Sequence, residues 1–90
     1  MDDDDLDEIL RSLAHPARRT FLRACLTKAR AAGDLSALSD LSLATVSEHL
    51  KVLRKTGLLQ LDRRGRFWMY RTDAALLEGA ALAIRKLGDR

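Results

Sequence analysis

Between Leu41 and Gly57 the chain places a helix-capping serine, an apolar edge at helical spacing and a terminating glycine. Ser42 stands three residues before the amide of Thr45, the position from which a hydroxyl caps a helix start. Val46, Leu50 and Leu53 recur at i, i+4 and i+7, so one edge of this helix is committed to a core. At 100° per residue the opposite edge carries Ala44, Glu48, Lys51 and Lys55, flanked by Thr45, Ser47 and Val52. Gly57 then closes the helix. A few residues on, Leu58 to Asp62 and Arg66 to Arg71 are rich in strand formers and meet at Gly65, which predicts a hairpin with an arginine-bearing tip. Leu59 and Leu61 alternate with Gln60, as on a strand with one covered face. Trp68 and Tyr70 share one face of the second strand, and Phe67 and Met69 the other. Trp68 fits either a packed strand aromatic or a base-stacking side chain.

Charge follows the same boundaries. Of 16 bases and 13 acids, the 41–72 segment carries seven bases, Lys51, Arg54, Lys55, Arg63, Arg64, Arg66 and Arg71, against Glu48 and Asp62. Residues 1–40 hold eight acids and six bases, and 73–90 hold three of each, so the net charge of +3 resides on the helix and hairpin. Positive charge gathered on one structural unit points to a polyanion partner. A short helix with small polar residues early and lysines late, followed by a basic hairpin, predicts a winged helix-turn-helix: the helix enters a DNA major groove and the hairpin meets the backbone. Small side chains let a helix approach base edges, and later cations reach phosphates. Ser42, Ala44, Thr45 and Ser47 are therefore expected near base edges, and Lys51, Lys55, Arg63, Arg64 and Arg66 near the backbone. Glu48 could accept from a cytosine amino group. His49 could contact DNA or cap a neighbouring turn, and Arg18 and Arg19 could reach phosphates or stay solvated.

Elsewhere the pattern is helical. Leu6, Ile9, Leu10 and Leu13 repeat at i, i+3, i+4 and i+7, and Asp2 to Asp5, Asp7 and Glu8 lie at or before the first turn, where negative charge suits the helix dipole. An acidic tail competing with DNA is the other reading of that run. His15-Pro16 breaks this helix, and Pro16 opens a second with Phe21, Leu22, Cys25 and Leu26 as its buried stripe, expected to run to about Ala32 with Gly33 as its stop. A short third helix, about Leu35 to Asp40, offers Leu35 and Leu38 to the core, and Leu41 packs in the turn behind it. Thr72 or Asp73 caps a last helix, Ala74 to Leu87. Leu76, Ala80, Ala83 and Leu87 form one apolar stripe on it, and Leu77, Ala81 and Ile84 a second beside it. A helix apolar over so much of its girth needs burial on two sides. One side is its own domain, and the other is expected to meet a second copy of the chain, with Leu6, Ile9, Leu10, Leu77, Ala81 and Ile84 at the homodimer interface.

Ninety residues make a single domain spanning 1–90, mainly α with a small β-hairpin: about five helices, with the wing between the fourth and fifth. No apolar run approaches the roughly 18 residues of a membrane span. The acidic amino end lacks the cationic region of a secretory signal, and one cysteine fits a reducing compartment, so a cytoplasmic location is expected. There is no glycine-rich phosphate loop and no recognisable partner base for Cys25, which excludes the familiar catalytic constellations, and no enzyme activity is expected. Cys25, on a buried stripe, reads as an inert core thiol.

Leu13-Ala-His-Pro-Ala-Arg-Arg19, then Leu41 through Leu59, then Arg64-Gly-Arg-Phe-Trp-Met-Tyr-Arg71 resemble the ArsR/SmtB-type transcriptional repressors over nearly the whole chain, most specifically at Ser47, His49, Leu50, Leu53 and Gly57. The resemblance implies a five-helix winged domain, a homodimer joined through first and last helices, and binding to an inverted-repeat operator that blocks transcription. The chain departs from the family at His15, where an acidic residue is usual, at Leu43, where glutamine or proline is common, and at Glu48, where arginine or another polar residue is common. Leu43 is expected to pack near the core edge, with a thymine methyl as its other possible contact. Metal-sensing members carry a Cys-x-Cys motif on the third helix or His and carboxylate pairs on the last. Neither is present, so no metal or other cofactor is expected, and the effector is left undefined. The competing reading is a winged-helix module that docks on an acidic protein.

Overall fold

The computed structural model describes residues 1–89, arranged as α1 (Asp3–Leu13), α2 (Pro16–Ala24), β1 (Arg30–Ala31), α3 (Ala32–Ser39), α4 (Leu43–Lys55), β2 (Leu59–Arg64), β3 (Phe67–Thr72) and α5 (Ala74–Leu87). Local chemistry sets most of these ends. Asp2 accepts from the Asp5 amide at 2.8 Å, and Asp3, Asp4 and Asp5 fill the first turn of α1, where they offset the dipole. Pro16 opens α2 at the position where its missing N–H costs nothing. Asp73, the second of the two candidate caps, accepts from the Leu76 amide at 3.1 Å and starts α5. Thr72 is buried instead, its hydroxyl donating to the Leu22 carbonyl at 2.7 Å.

The second helix is shorter than its sequence suggests, ending at Ala24 and not near Ala32. Its last carbonyls are claimed by tertiary partners: Leu22 by the Thr72 hydroxyl, Ala24 by Arg30 Nε at 3.0 Å, and Cys25 by the Thr72 amide at 3.1 Å. Helical continuation would compete for those oxygens, and Leu26 lies exposed beyond them. The chain then forms β1, a strand with no sequence signature. It pairs antiparallel with β3, Arg30 opposite Tyr70 and Ala31 opposite Met69, in a three-stranded sheet ordered β1-β3-β2. Gly33 is accordingly no stop but lies in the first turn of α3, where Asp34 accepts from the Ala31 amide at 3.1 Å.

Phe21, Leu35, Val46, Leu50, Leu53 and Leu58 form the centre of one core, joined by Ile9 and Leu22. Leu35 enters it as expected. Leu38 does not, being 55% exposed. Ile9 retains only 2% exposure within this core, so it has no surface to give a second subunit and leaves the set of interface residues. Leu6 and Leu77 are partly buried against the same core, whereas Leu10, Ala81 and Ile84 are exposed.

The link between α3 and α4 turns on Asp40, whose φ of 58° is left-handed. That conformation costs a residue with a Cβ about 1–2 kcal/mol, against roughly 0.5–1 kcal/mol of extra chain entropy for glycine. Asp40→Gly is therefore expected to stabilise the fold by up to about 1 kcal/mol, read as a higher denaturant midpoint at unchanged slope.

Candidate nucleic-acid interface

α4 is oriented by its buried edge. Val46, Leu50 and Leu53 are almost wholly enclosed, which leaves Ser42, Ala44, Thr45, Ser47, Glu48, Lys51 and Lys55 exposed on the other side. The start of the helix is ordered by its own hydroxyls: Ser42 Oγ accepts from the Thr45 amide at 3.1 Å and donates to Thr45 Oγ1 at 2.9 Å. Ser42 has therefore committed its proton, while Thr45 keeps one to donate outward. Leu43 is 55% exposed and does not pack, contrary to the wheel. As the first helical residue it precedes the turn that buries Val46, and its side chain falls beside the core instead of over it.

Gly57 ends this helix at φ +84°, and a Cβ there would meet Leu76 of α5 at 3.2 Å, so backbone conformation and close approach both call for glycine. Across Gly65 and Arg66 the hairpin closes with Arg64 opposite Phe67. Gly65 has φ +62° whereas Arg66 is not in the positive range, the pattern of a type II′ turn.

That register gives the hairpin arginines different surroundings. Arg63 lies opposite Trp68, with its guanidinium 4.4 Å from the indole centroid. Arg64 donates from Nε to Asp62 at 2.9 Å, the one salt bridge among the described residues, with both side chains exposed. Arg66 is exposed in the turn. Trp68 is neither packed away nor bare: it remains 47% exposed beneath Arg63. It also lines a groove of about 360 Å³ between β3 and α4, together with Leu43, Ser47, Lys51 and Arg54. Arg54 was absent from the expected site, and Leu43 and Trp68 stood there only as the second of two readings. Register arithmetic across a two-residue turn would have paired Trp68 with Arg63, and i, i+3 spacing would have set Arg54 beside Lys51.

His49 and the α2 arginines serve the scaffold. Arg18 donates from Nε to His49 Nδ1 at 3.1 Å and from Nη1 to the Ser12 carbonyl at 3.3 Å, and Arg19 donates to the Leu13 carbonyl at 2.7 Å. Both arginines thus satisfy carbonyls at the carboxyl end of α1. The His49 ring stands 6.3 Å from Phe21 and 5.8 Å from His15 between centroids. Burial, then the Arg18 and His15 charges, push its pKa below the ordinary 6.5. Cys25 is enclosed, and burial pushes its thiol up to about 11, with Arg30 opposing, so it is protonated and unreactive at neutral pH. Among the described residues, no three His, Cys, Asp or Glu side chains gather into a metal-binding group, and no helix is long and apolar enough to cross a membrane.

A capped helix with a polar outer face, set beside a cationic two-stranded wing, defines a winged helix-turn-helix protein of the kind that reads duplex DNA. A family model described as a helix-turn-helix domain matches residues 13–62. No curated protein matches the chain. Among solved structures, an ArsR-like transcriptional regulator from Rhodococcus sp. RHA1 is 24% identical at a TM-score of 0.85, over 94% of this chain and 80% of that one. Rv0081 of M. tuberculosis is 31% identical at a TM-score of 0.69, over 90% and 86% respectively. The homodimeric winged helix-turn-helix DNA-binding domain of Mb0332 from Mycobacterium bovis, a possible ArsR-family regulator, is 23% identical at a TM-score of 0.75, over 97% and 83%. The chain belongs to the helix-turn-helix domain family, and its fold is that of the ArsR-like regulators.

The partial burial of His49, with the Arg18 and His15 charges beside it, makes the fold acid-sensitive in a stated direction. An unfolded His49 takes up a proton more readily than the folded ring, so its contribution is complete above about pH 6.5 and is lost as pH falls below it. His49→Gln, whose amide oxygen can accept the same Arg18 N–H, is expected to lose less stability than the parent on acidification from about pH 7.5 to 5.5, measured by urea unfolding. An identical loss in both proteins would overturn the assignment.

Proposed function

We propose that two copies of this chain bind an inverted-repeat operator and repress transcription, each inserting α4 into the major groove of one half-site. The carrying observation is the exposed face of α4, which keeps its small polar residues and lysines outward while Val46, Leu50 and Leu53 are sealed in the core. Ser42, Ala44, Thr45, Ser47 and Glu48 lie at base edges in this reading. Thr45, with a free hydroxyl proton, is the donor among them, and Glu48, with no salt-bridge partner in the described residues, is the acceptor suited to a cytosine amino group. Lys51, Lys55, Arg63, Arg64 and Arg66 meet the backbone. Arg64 gives less than Arg63, since Asp62 already neutralises part of its charge. His49, whose Nδ1 accepts from Arg18, has only Nε2 left for a contact with DNA. The protein works without catalysis and in the cytoplasm.

Dimerisation is supported by apolar surface left open on the outer helices: Leu10 of α1, and Ile84 and Leu87 of α5. The homodimeric state of the Mb0332 domain supports pairing of two copies, and an isologous pairing of this face presents two α4 helices to half-sites about one helical turn, roughly 34 Å, apart. Ile84 is 44% exposed, and a charge placed there disrupts the pairing and not the core. Ile84→Asp is expected to give a monomer by sedimentation, with its circular dichroism spectrum retained and operator affinity lost.

Binding is tested by fluorescence anisotropy with labelled duplexes, operator fragments being selected from a genomic pool. If a dimer neutralises about six to eight phosphates, affinity falls roughly a thousandfold or more between 50 and 200 mM salt. Lys51→Ala should weaken binding to all sequences alike and flatten that salt dependence, whereas Thr45→Ala should reduce discrimination between operators. A chain that ignores duplex DNA at physiological salt would instead be a protein-docking module, and this reading would fail.

A further inference from the structure

Arg63 and Trp68 form a pre-arranged unit that the cationic composition of the wing does not account for. Their positions are opposed across β2 and β3, and the guanidinium is held 4.4 Å over the indole. A stacked arginine keeps its N–H edge free, since the ring takes the flat face and none of the donors. Arg63 has no carboxylate partner among the described residues, unlike Arg64, which Asp62 holds. The indole beneath it also forms one wall of the groove whose opposite wall is α4, with Lys51 and Arg54 directed to the same space. Lys51 and Arg54 thus line the cleft between helix and wing with Glu48 among them, and Arg63 stands over the indole at its edge. The same strand face packs into the core at its base, through Leu59 and Tyr70, and emerges at Arg63 and Trp68. The stack is therefore anchored to the body and is not a freely moving arm.

We propose that Trp68 is a positioning residue for DNA binding: it holds Arg63 at the mouth of the α4–wing cleft, where Arg63, Lys51 and Arg54 grip the sugar-phosphate strand that passes between the two reading elements. The proposal rests on the DNA-binding reading above and adds two residues to it, Arg54 and Trp68. A phosphate reaching this cleft meets a guanidinium whose rotamers are already restricted, so less side-chain freedom is lost on binding than at Arg66 in the turn. Trp68 contributes no charge of its own, which separates its role from that of the cations around it.

The test uses the full chain and a labelled random-sequence duplex at low salt, followed by anisotropy. Arg63→Ala should weaken binding and lower the salt slope by about two per dimer, one phosphate being released from each subunit. Trp68→Leu should weaken binding about five- to tenfold although every charge is retained, and Trp68→Phe should recover most of that loss, because a phenyl ring still carries the cation. The double variant Arg63→Ala with Trp68→Leu should bind like Arg63→Ala alone. Trp68 is the chain's single tryptophan, so its emission should shift when duplex is added to the parent and shift toward longer wavelength in free Arg63→Ala. Thermal unfolding of Trp68→Leu and Trp68→Phe should coincide, and a Trp68→Leu that melts earlier would mark the indole as a packing element and overturn the proposal. Parent-like affinity of Trp68→Leu, or full additivity in the double variant, would also overturn it while leaving DNA binding intact. Failure of the parent to bind duplex at all would refute the DNA-binding reading itself.

Discussion

Burial of Val46, Leu50 and Leu53 against Phe21 and Leu35 is the constraint on which the rest of the molecule depends. A helix has one rotational degree of freedom about its own axis, and this edge removes it. Each fully buried leucine or valine contributes about 1.5–3 kcal/mol, so turning α4 to expose these three would cost a sum comparable to the whole net stability of a domain of this size. The outer face then follows without further specification. Ala44, Thr45, Ser47 and Lys51 face outward because they are on the far side of an edge that cannot move.

The features set by periodicity and punctuation were legible in the residues alone. The capping serine and aspartate, the leucine spacing of α4, the glycines at 57 and 65 and the alternation along the hairpin each act over a few positions, and each appears in the fold where expected. What escaped depends on partners remote in sequence. β1 exists because β3 offers it an edge, and α2 stops at Ala24 because Thr72 and Arg30 take its final carbonyls. Two residues of strand, Arg30 and Ala31, carry no pattern that distinguishes them from helix.

The candidate site divides in the same way. Charge clustering located the cationic surface but treated its members as equals. Geometry sorts them: Arg64 is neutralised in part by a near neighbour, and Arg63 is seated on an aromatic ring, while Arg18 of α2 bonds one backbone oxygen and an imidazole. Leu43 shows the limit of the helical wheel, which assumes a neighbouring turn on both sides and therefore misjudges a residue at the helix start. Ile9 shows the opposite error: apolar periodicity marks a residue for burial without saying whether its own chain or another provides the cover.

β1 has one more consequence. Because β3 is the middle strand, it is hydrogen-bonded on one side to its hairpin mate and on the other to the segment that leads into α3. The wing is consequently cross-tied to the helical pair and cannot swing as a separate flap. Any force that draws the hairpin tip toward a ligand is transmitted through Tyr70 and Arg30 to the root of α3, so helix and wing approach a surface as one rigid tool with a fixed opening angle.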